Sequence, residues 1–338
     1  MASEGTREDE VAPGWTIIVL LGLALTALVV APYCGRQSIP FAALWGGGEP
    51  GQVDILWKLR IPRVLMAFLA GSALATSGMT FQAMFRNPLA TPFTLGVSSG
   101  ASLGAAIAIQ FGWTFALWGL SATSIAAFLG AVASIALVYL MTARSRNSST
   151  TMLLAGVAVS FFFSSMILFL QYLSDFTRSF RMLRWVMGGL EGIVSFEDVW
   201  HVFPFVVSGC LIVWYLTLEL NLLTTGEEFA FSRGVSVGQT KWLLFFAVSM
   251  MVGAVVAICG PIGFVGLMAP HICRLMIGYD HRWLYPATFL FGGALLVICD
   301  TIARIVIVGE LPVGIVTALL GGPFFLWLLL TRQEDLDA

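Results

Sequence analysis

Few residues in this chain could carry out bond chemistry. Three His (201, 271 and 281) and five Cys (34, 210, 259, 273 and 299) are scattered along 338 residues. No CxxC or HExxH spacing occurs, so neither a zinc site nor a disulfide framework is indicated. The two lysines, Lys58 and Lys241, both follow residues other than Gly, so no Walker A loop exists to cradle nucleotide phosphates. Arginine is the remaining resource. Arg60-Ile61-Pro62-Arg63 leads into one long apolar run, and Arg304 closes another just before Glu310-Leu311-Pro312. Asp300 lies four residues ahead of Arg304, the spacing of a helical ion pair. Cations at the ends of apolar runs can snorkel toward lipid headgroups. They can equally form a basic rim that steers an acidic partner protein.

Polar turns supply the other candidates. In Arg86-Asn87-Pro88-Leu89-Ala90-Thr91-Pro92, the prolines stop one apolar run and start the next. Asn87 and Leu89 are then either a plain connection or part of the inner mouth of a pathway. Ser148-Ser149-Thr150-Thr151, with Ser149 and Thr150 at its centre, plays a similar part before a later run and serves in part as an N-cap. The longest inner connection, residues 218–239, includes Leu222, Gly226, Glu227, Glu228, Arg233 and Gly234. Thr225 is expected to cap a short helix starting near Gly226, with both glutamates in its first turn and Gly234 at its end. This region reads as short amphipathic helices under the membrane, touching lipid or seating a cytoplasmic partner. Residues 173–198 mix arginines with carboxylates and read as solvated surface turning at Gly188-Gly189.

Composition dictates the elements that hold these groups. The chain is 58% hydrophobic and 11% charged, with a mean hydropathy of +0.91. Soluble domains carry about 25% charged residues. So much apolar surface cannot be hidden in one globule, and the fold class is all-α, a polytopic membrane protein. The net charge of −2 excludes a nucleic-acid partner. The first ten residues hold Glu4, Glu8, Asp9 and Glu10 against a single Arg, the wrong sign for a cleavable signal.

About ten spans are expected, at 15–33, 63–84, 93–111, 115–142, 151–172, 199–217, 240–259, 262–277, 283–307 and 311–331. Residues 1–14 and 332–338 become cytoplasmic tails around one permease domain, 15–331. The span at 262–277 is short and broken by Gly and Pro, and its glycines suit close helix packing. Gly100-x-x-x-Gly104 has the same small-residue spacing. With Met1 inside, nine cations fall inside and eight outside. The usual cytoplasmic excess is missing, so either this topology is wrong or the outer cations have a use that outweighs the insertion preference, and the second reading is favoured.

Several of these motifs together resemble the FecCD-type permeases, the membrane subunits of ABC importers for iron-siderophores, heme and vitamin B12. The resemblance is carried by Arg60-Ile-Pro-Arg63, Gln82-Ala-Met-Phe-Arg-Asn-Pro-Leu-Ala90, Leu95-Gly-Val-Ser-Ser-Gly100, Trp185-Val-Met-Gly-Gly189, Gly260–Arg274, Asp280-His-Arg282 and Glu310-Leu-Pro-Val-Gly-Ile-Val-Thr-Ala318. It covers the chain from about residue 15 onward. It implies the type II ABC importer permease fold in a multi-pass chain of the bacterial cytoplasmic membrane. The implied partners are a second permease subunit, identical or paralogous, two cytoplasmic ATP-binding subunits and a periplasmic or lipid-anchored binding protein. ATP and Mg would sit on the ATPase partners, leaving this chain with no cofactor and no catalysis. By position, Arg60, Arg63 and Arg304 match residues that dock carboxylates of the binding protein. Residues 219–234 match the coupling helices, and Asn87, Leu89, Ser149 and Thr150 match the cytoplasmic gate. The expected cargo is an iron-siderophore-type chelate, with heme or cobalamin as the alternative.

Two other classes are weaker fits. An ion-coupled carrier needs an ionisable site within its spans, and Asp300 is the main candidate. A membrane-embedded enzyme needs converging nucleophile, base or metal ligands, which the dispersed His do not provide.

Overall fold

The computed structural model describes residues 13–35, 37–47, 49–142, 149–192, 195–306 and 309–337, without the side chains of 149, 329 and 331–337. Most of the expected amino-terminal tail, Arg36, Arg144, Arg146, Ser148 and the side chain of Ser149 therefore lie outside the described residues. Every expected span appears as a helix. Among the described residues, seven helices are long and apolar enough to cross a membrane. They are α1 (Pro13–Val30), α3 (Ile61–Phe85), α5 (Ala122–Thr142), α6 (Ser149–Leu173), α8 (Phe196–Tyr215), α11 (Val237–Cys259) and α13 (His281–Val306). Three more are apolar, namely α4 (Val97–Gln110), α12 (Val265–Ile277) and α14 (Val313–Asp337). Between them lie the short helices α2 (Pro50–Asp54), α7 (Phe176–Val186), α9 (Thr217–Thr225) and α10 (Glu227–Ser232).

Helix α3 is the spine of the bundle. Every residue from Ala70 to Phe85 is buried, and most are Ala, Gly, Ser, Thr or Met. Lipid tails give no hydrophobic drive between helices, so close backbone approach and dispersion must hold them together. Gly78 shows how close that approach is, since a Cβ there would lie 1.7 Å from the Gly266 carbonyl oxygen of α12. Further along α3, a Cβ on Gly71 would lie 2.3 Å from the Gly292 oxygen of α13. The Gly100-x-x-x-Gly104 spacing works as expected, with Gly100 against Gly130 and Gly104 against Ala126 of α5. Gly263 is different. A side chain there would meet nothing within 4 Å, so of the two glycines expected to serve packing only Gly266 does so.

The break after α11 has a physical cause. Gly260 takes φ 66° and Phe264 φ 65°, so the chain cannot continue as a right-handed helix until Val265. Pro270 then sits inside α12 with no N–H to give the Gly266 carbonyl four residues back. Gln82 of α3 donates its Nε2 to that carbonyl at 3.3 Å. Sequence and structure differ in three other places. Residues 116–121 form a two-strand hairpin (β1, Ala116–Leu117; β2, Leu120–Ser121), so the expected span from 115 starts as helix only at Ala122. The outer loop read as solvated surface contains the amphipathic helix α7, capped by Asp175, whose carboxylate accepts from the Arg178 amide at 2.8 Å. Finally, Thr225 caps nothing. It ends α9 and bonds back to the Leu222 carbonyl at 2.8 Å, while α10 starts from Gly226 without a side-chain cap.

Candidate functional site

At one end of the bundle the three arginines come together. The turn that leads into α3 carries Arg60, the first turn of α3 carries Arg63, and the last turn of α13 carries Arg304. They surround a cavity of about 450 Å³ that Arg184, Glu191 and Glu310 also line. Asp300 is fully buried behind it and takes two cations. Arg63 grips it with Nε at 3.0 Å and Nη2 at 2.9 Å, and Arg304 Nε lies 3.1 Å from its second oxygen. The i, i+4 pair was legible in the sequence. Arg63, 237 residues away from Asp300, was not.

The three arginines differ in how they are held. Arg304 is buried and also donates to the carbonyl of Ala31 at 3.3 Å and to the Thr301 hydroxyl at 3.1 Å, pinning the end of α1 to α13. Arg60 donates to the carbonyls of Pro32 at 3.0 Å and Gln37 at 2.6 Å. Among the described residues, no carboxylate lies within ion-pair distance of Arg60. Arg63 Nη1 reaches Glu310 at 2.7 Å. Arg184 and Glu191 pair with each other across the cavity wall. Three guanidiniums against Asp300 and Glu310 leave one positive charge in excess.

The opposite end holds the remaining candidates. Leu222 is half-buried in α9, and Gly226 joins α9 to α10 at φ 146°, a region closed to most side chains. Glu227 of α10 pairs at 2.5 Å with Lys241, which is 1% exposed in the first turns of α11. Glu228 follows it in the first turn of α10. Arg233 lies over the Phe229 ring at 5.3 Å, and Gly234 follows where α10 ends. Asn221 of α9 donates to Asp280 at 2.8 Å and accepts from the His281 amide at 2.9 Å, tying α9 to the start of α13. Hydrogen bonds from Arg282 hold the Asp280 carboxyl below the usual carboxylate range.

In the turn after α3, Asn87 Oδ1 accepts from the Leu89 amide at 2.9 Å, and Leu89 is 55% exposed. Thr150 is exposed in the first turn of α6. Asn87 also lines a cavity of about 270 Å³ with Gln82, Thr224 and Arg274, and Arg274 bonds the Gln82 side-chain oxygen. Neither Lys241–Glu227 nor Asn221–Asp280 was found from sequence, since each joins residues of different elements. A lysine in the first turns of an apolar helix was the one available signal. Among the described residues no group of three or more His, Cys, Asp or Glu could hold a metal ion.

A bundle of apolar helices around a small-residue spine, with the described charges kept to its two ends, defines a polytopic membrane protein. Residues 17–331 match the model of the FecCD transport family, and the chain belongs to that family. It is 37% identical over 334 residues to the hemin transport system permease protein of Yersinia pestis, covering 98% of each chain. It is 42% identical over 318 residues to the cobalamin import system permease protein of Halobacterium salinarum, covering 94% of this chain and 82% of the relative. The molybdate import system permease protein of Haemophilus influenzae is 35% identical over 321 residues, covering 91% of this chain and 94% of the relative. A solved structure described as an inward-facing ABC transporter of metal-chelate type superposes with a TM-score of 0.85 at 33% identity, covering 94% of this chain and 99% of that one. The protein is thus the permease of an ABC importer, a multi-pass protein of the inner, cytoplasmic membrane.

Proposed function

We propose that this permease passes an iron-siderophore-type chelate across the membrane. A substrate-binding protein delivers the cargo at the arginine-lined end, and ATP hydrolysis on two separate cytoplasmic subunits drives the step. A second permease subunit completes the path. Arg60 and Arg63 receive carboxylates of the binding protein; Arg304, expected to dock one too, is buried against Asp300 and holds the rim in shape. Helices α9 and α10, with Leu222, Gly226, Glu227, Glu228, Arg233 and Gly234, seat on the ATPases. Asn87, Leu89, Ser149 and Thr150 form the inner gate. ATP and Mg belong to the partner subunits, and this chain carries no cofactor.

One observation carries the reading: the outer cavity keeps one uncompensated positive charge on rigidly held guanidiniums. Such a rim favours encounter with an acidic protein surface and sets its orientation. The interior supports a passive conduit. Asp300, the one buried carboxylate among the described residues, is engaged by two arginines and does not suit a proton or ion site. The names of the relatives favour a second reading for the cargo, hemin or cobalamin. Titrating the cognate binding protein with ferric catecholate, ferric hydroxamate, hemin and cobalamin, followed by tryptophan quenching, decides the matter. Tight binding of a ferric siderophore is expected, and tight binding of hemin or cobalamin alone would transfer the function to that cargo.

A further inference from the structure

Asp300 holds Arg63 through Nε and Nη2, which leaves Nη1 free of it, and Arg63 lines the outer cavity. Glu310 occupies that corner at 2.7 Å. The two carboxylates are held very differently. The Asp300 side chain is 1% exposed, whereas that of Glu310 is 40% exposed. Glu310 has a single bond to Arg63, and its backbone sits at φ 53°, a conformation disfavoured for any residue with a Cβ. The turn that presents it is anchored just beyond, where the Leu311 amide donates to the Ala303 carbonyl at 3.2 Å. Glu310 is thus a half-exposed carboxylate, held by one bond from a turn at positive φ, over an arginine whose side chain is 11% exposed and lines the outer cavity.

We propose that Glu310 is a built-in stand-in for the partner's carboxylate. It covers Arg63 in the free permease and yields Nη1 to an acidic side chain of the docking binding protein. Asp300 keeps the guanidinium in place throughout the exchange. The inference rests on the docking reading above and adds a feature that reading lacks. Docking at Arg63 becomes a swap of one carboxylate for another, so its affinity is held down by an internal competitor while its charge complementarity is kept. Keeping Arg63 paired offsets part of the desolvation cost of holding its guanidinium largely buried. A partner that must displace a competitor leaves readily, as a delivery protein must. Arg60, which among the described residues bonds only carbonyl groups, has no such competitor among them and offers the first contact.

The test uses the assembled importer in lipid nanodiscs at low salt, with its cognate binding protein carrying a fluorophore as the probe. Glu310→Gln is expected to tighten binding about three- to tenfold, mainly through slower dissociation. Glu310→Asp, which keeps the charge, should restore wild-type affinity at least in part. In an Arg63→Gln background, Glu310→Gln should bring no gain, because its target is gone. Glu310→Ser provides a second uncharged variant should the glutamine variant unfold, and thermal unfolding of each variant checks that it is intact. Unchanged or weaker binding by both folded variants overturns the proposal. A gain that persists in the Arg63→Gln background also overturns it, since that gain reports overall charge alone. If Arg60→Gln and Arg63→Gln leave affinity untouched, the docking reading itself fails. If they weaken it while Glu310→Gln does nothing, docking stands and the stand-in falls.

Discussion

Asp300 and the arginines around it show why similar residues at one rim need different tests. Arg304 is buried and bonded to Asp300, Thr301 and the Ala31 carbonyl. Its truncation removes one of the two cations on Asp300, which keeps Arg63, so the cost stays below the roughly 3–5 kcal/mol of a wholly unpaired buried charge. Arg304→Gln is therefore expected to lower the thermal unfolding midpoint of the purified permease markedly. Arg60, intermediate in exposure and bonded to carbonyls, behaves differently. Arg60→Glu should leave the midpoint close to wild type and slow the docking of the binding protein, most strongly at low salt. Equal loss of stability in both variants would contradict this division. The sequence showed all three arginines as one basic rim and showed the Asp300–Arg304 spacing. It could not show which cation was already spent, because the bonds to Arg63 and Arg60 come from residues distant in the chain. The same limit hid the carboxylate of Glu310, whose direction depends on a positive φ that no side-chain type announces.

Among the elements, the contrast between Gly266 and Gly263 is the most instructive. Both lie in one broken apolar stretch, and both were expected to serve helix packing. Only Gly266 faces α3, where a Cβ would lie 2.8 Å from the Leu74 carbonyl. Gly266→Leu is expected to disrupt assembly of the bundle, and Gly263→Leu to be tolerated, as judged by yield and monodispersity after extraction. Composition and hydropathy located the ten apolar helices because burial in lipid requires long apolar runs. They blurred at 115–121, where apolar residues turn back in a hairpin, and at α7, where a short amphipathic helix carries no span signal. The segment 218–239 was readable as short helices from its Glu, Gly and Thr punctuation, apart from the false cap at Thr225. Its tie to α11 was not readable. Lys241 is buried against Glu227, so Lys241→Met, with its partner left charged, should loosen α10 from the bundle. With α9 and α10 seated on the ATPase subunits as proposed, the importer assembled with that variant should move roughly tenfold less cargo per ATP hydrolysed. Unchanged coupling would remove α10 from the transmission path.

At the scale of the whole molecule, charge sits at the two ends and small residues fill the middle. That distribution suits the passive conduit proposed above, in which other chains supply selection and energy. The exposed aromatic face of α6, including Phe161, Phe162, Phe169 and Tyr172, leaves room for lipid or a second subunit. The most direct test places the permease with its ATP-binding subunits in proteoliposomes, with ATP inside and loaded binding protein outside. Uptake should require both, continue in the presence of a protonophore and stop with a non-hydrolysable nucleotide. Uptake without ATP, driven by an imposed proton or sodium gradient and abolished by the protonophore, would contradict the account.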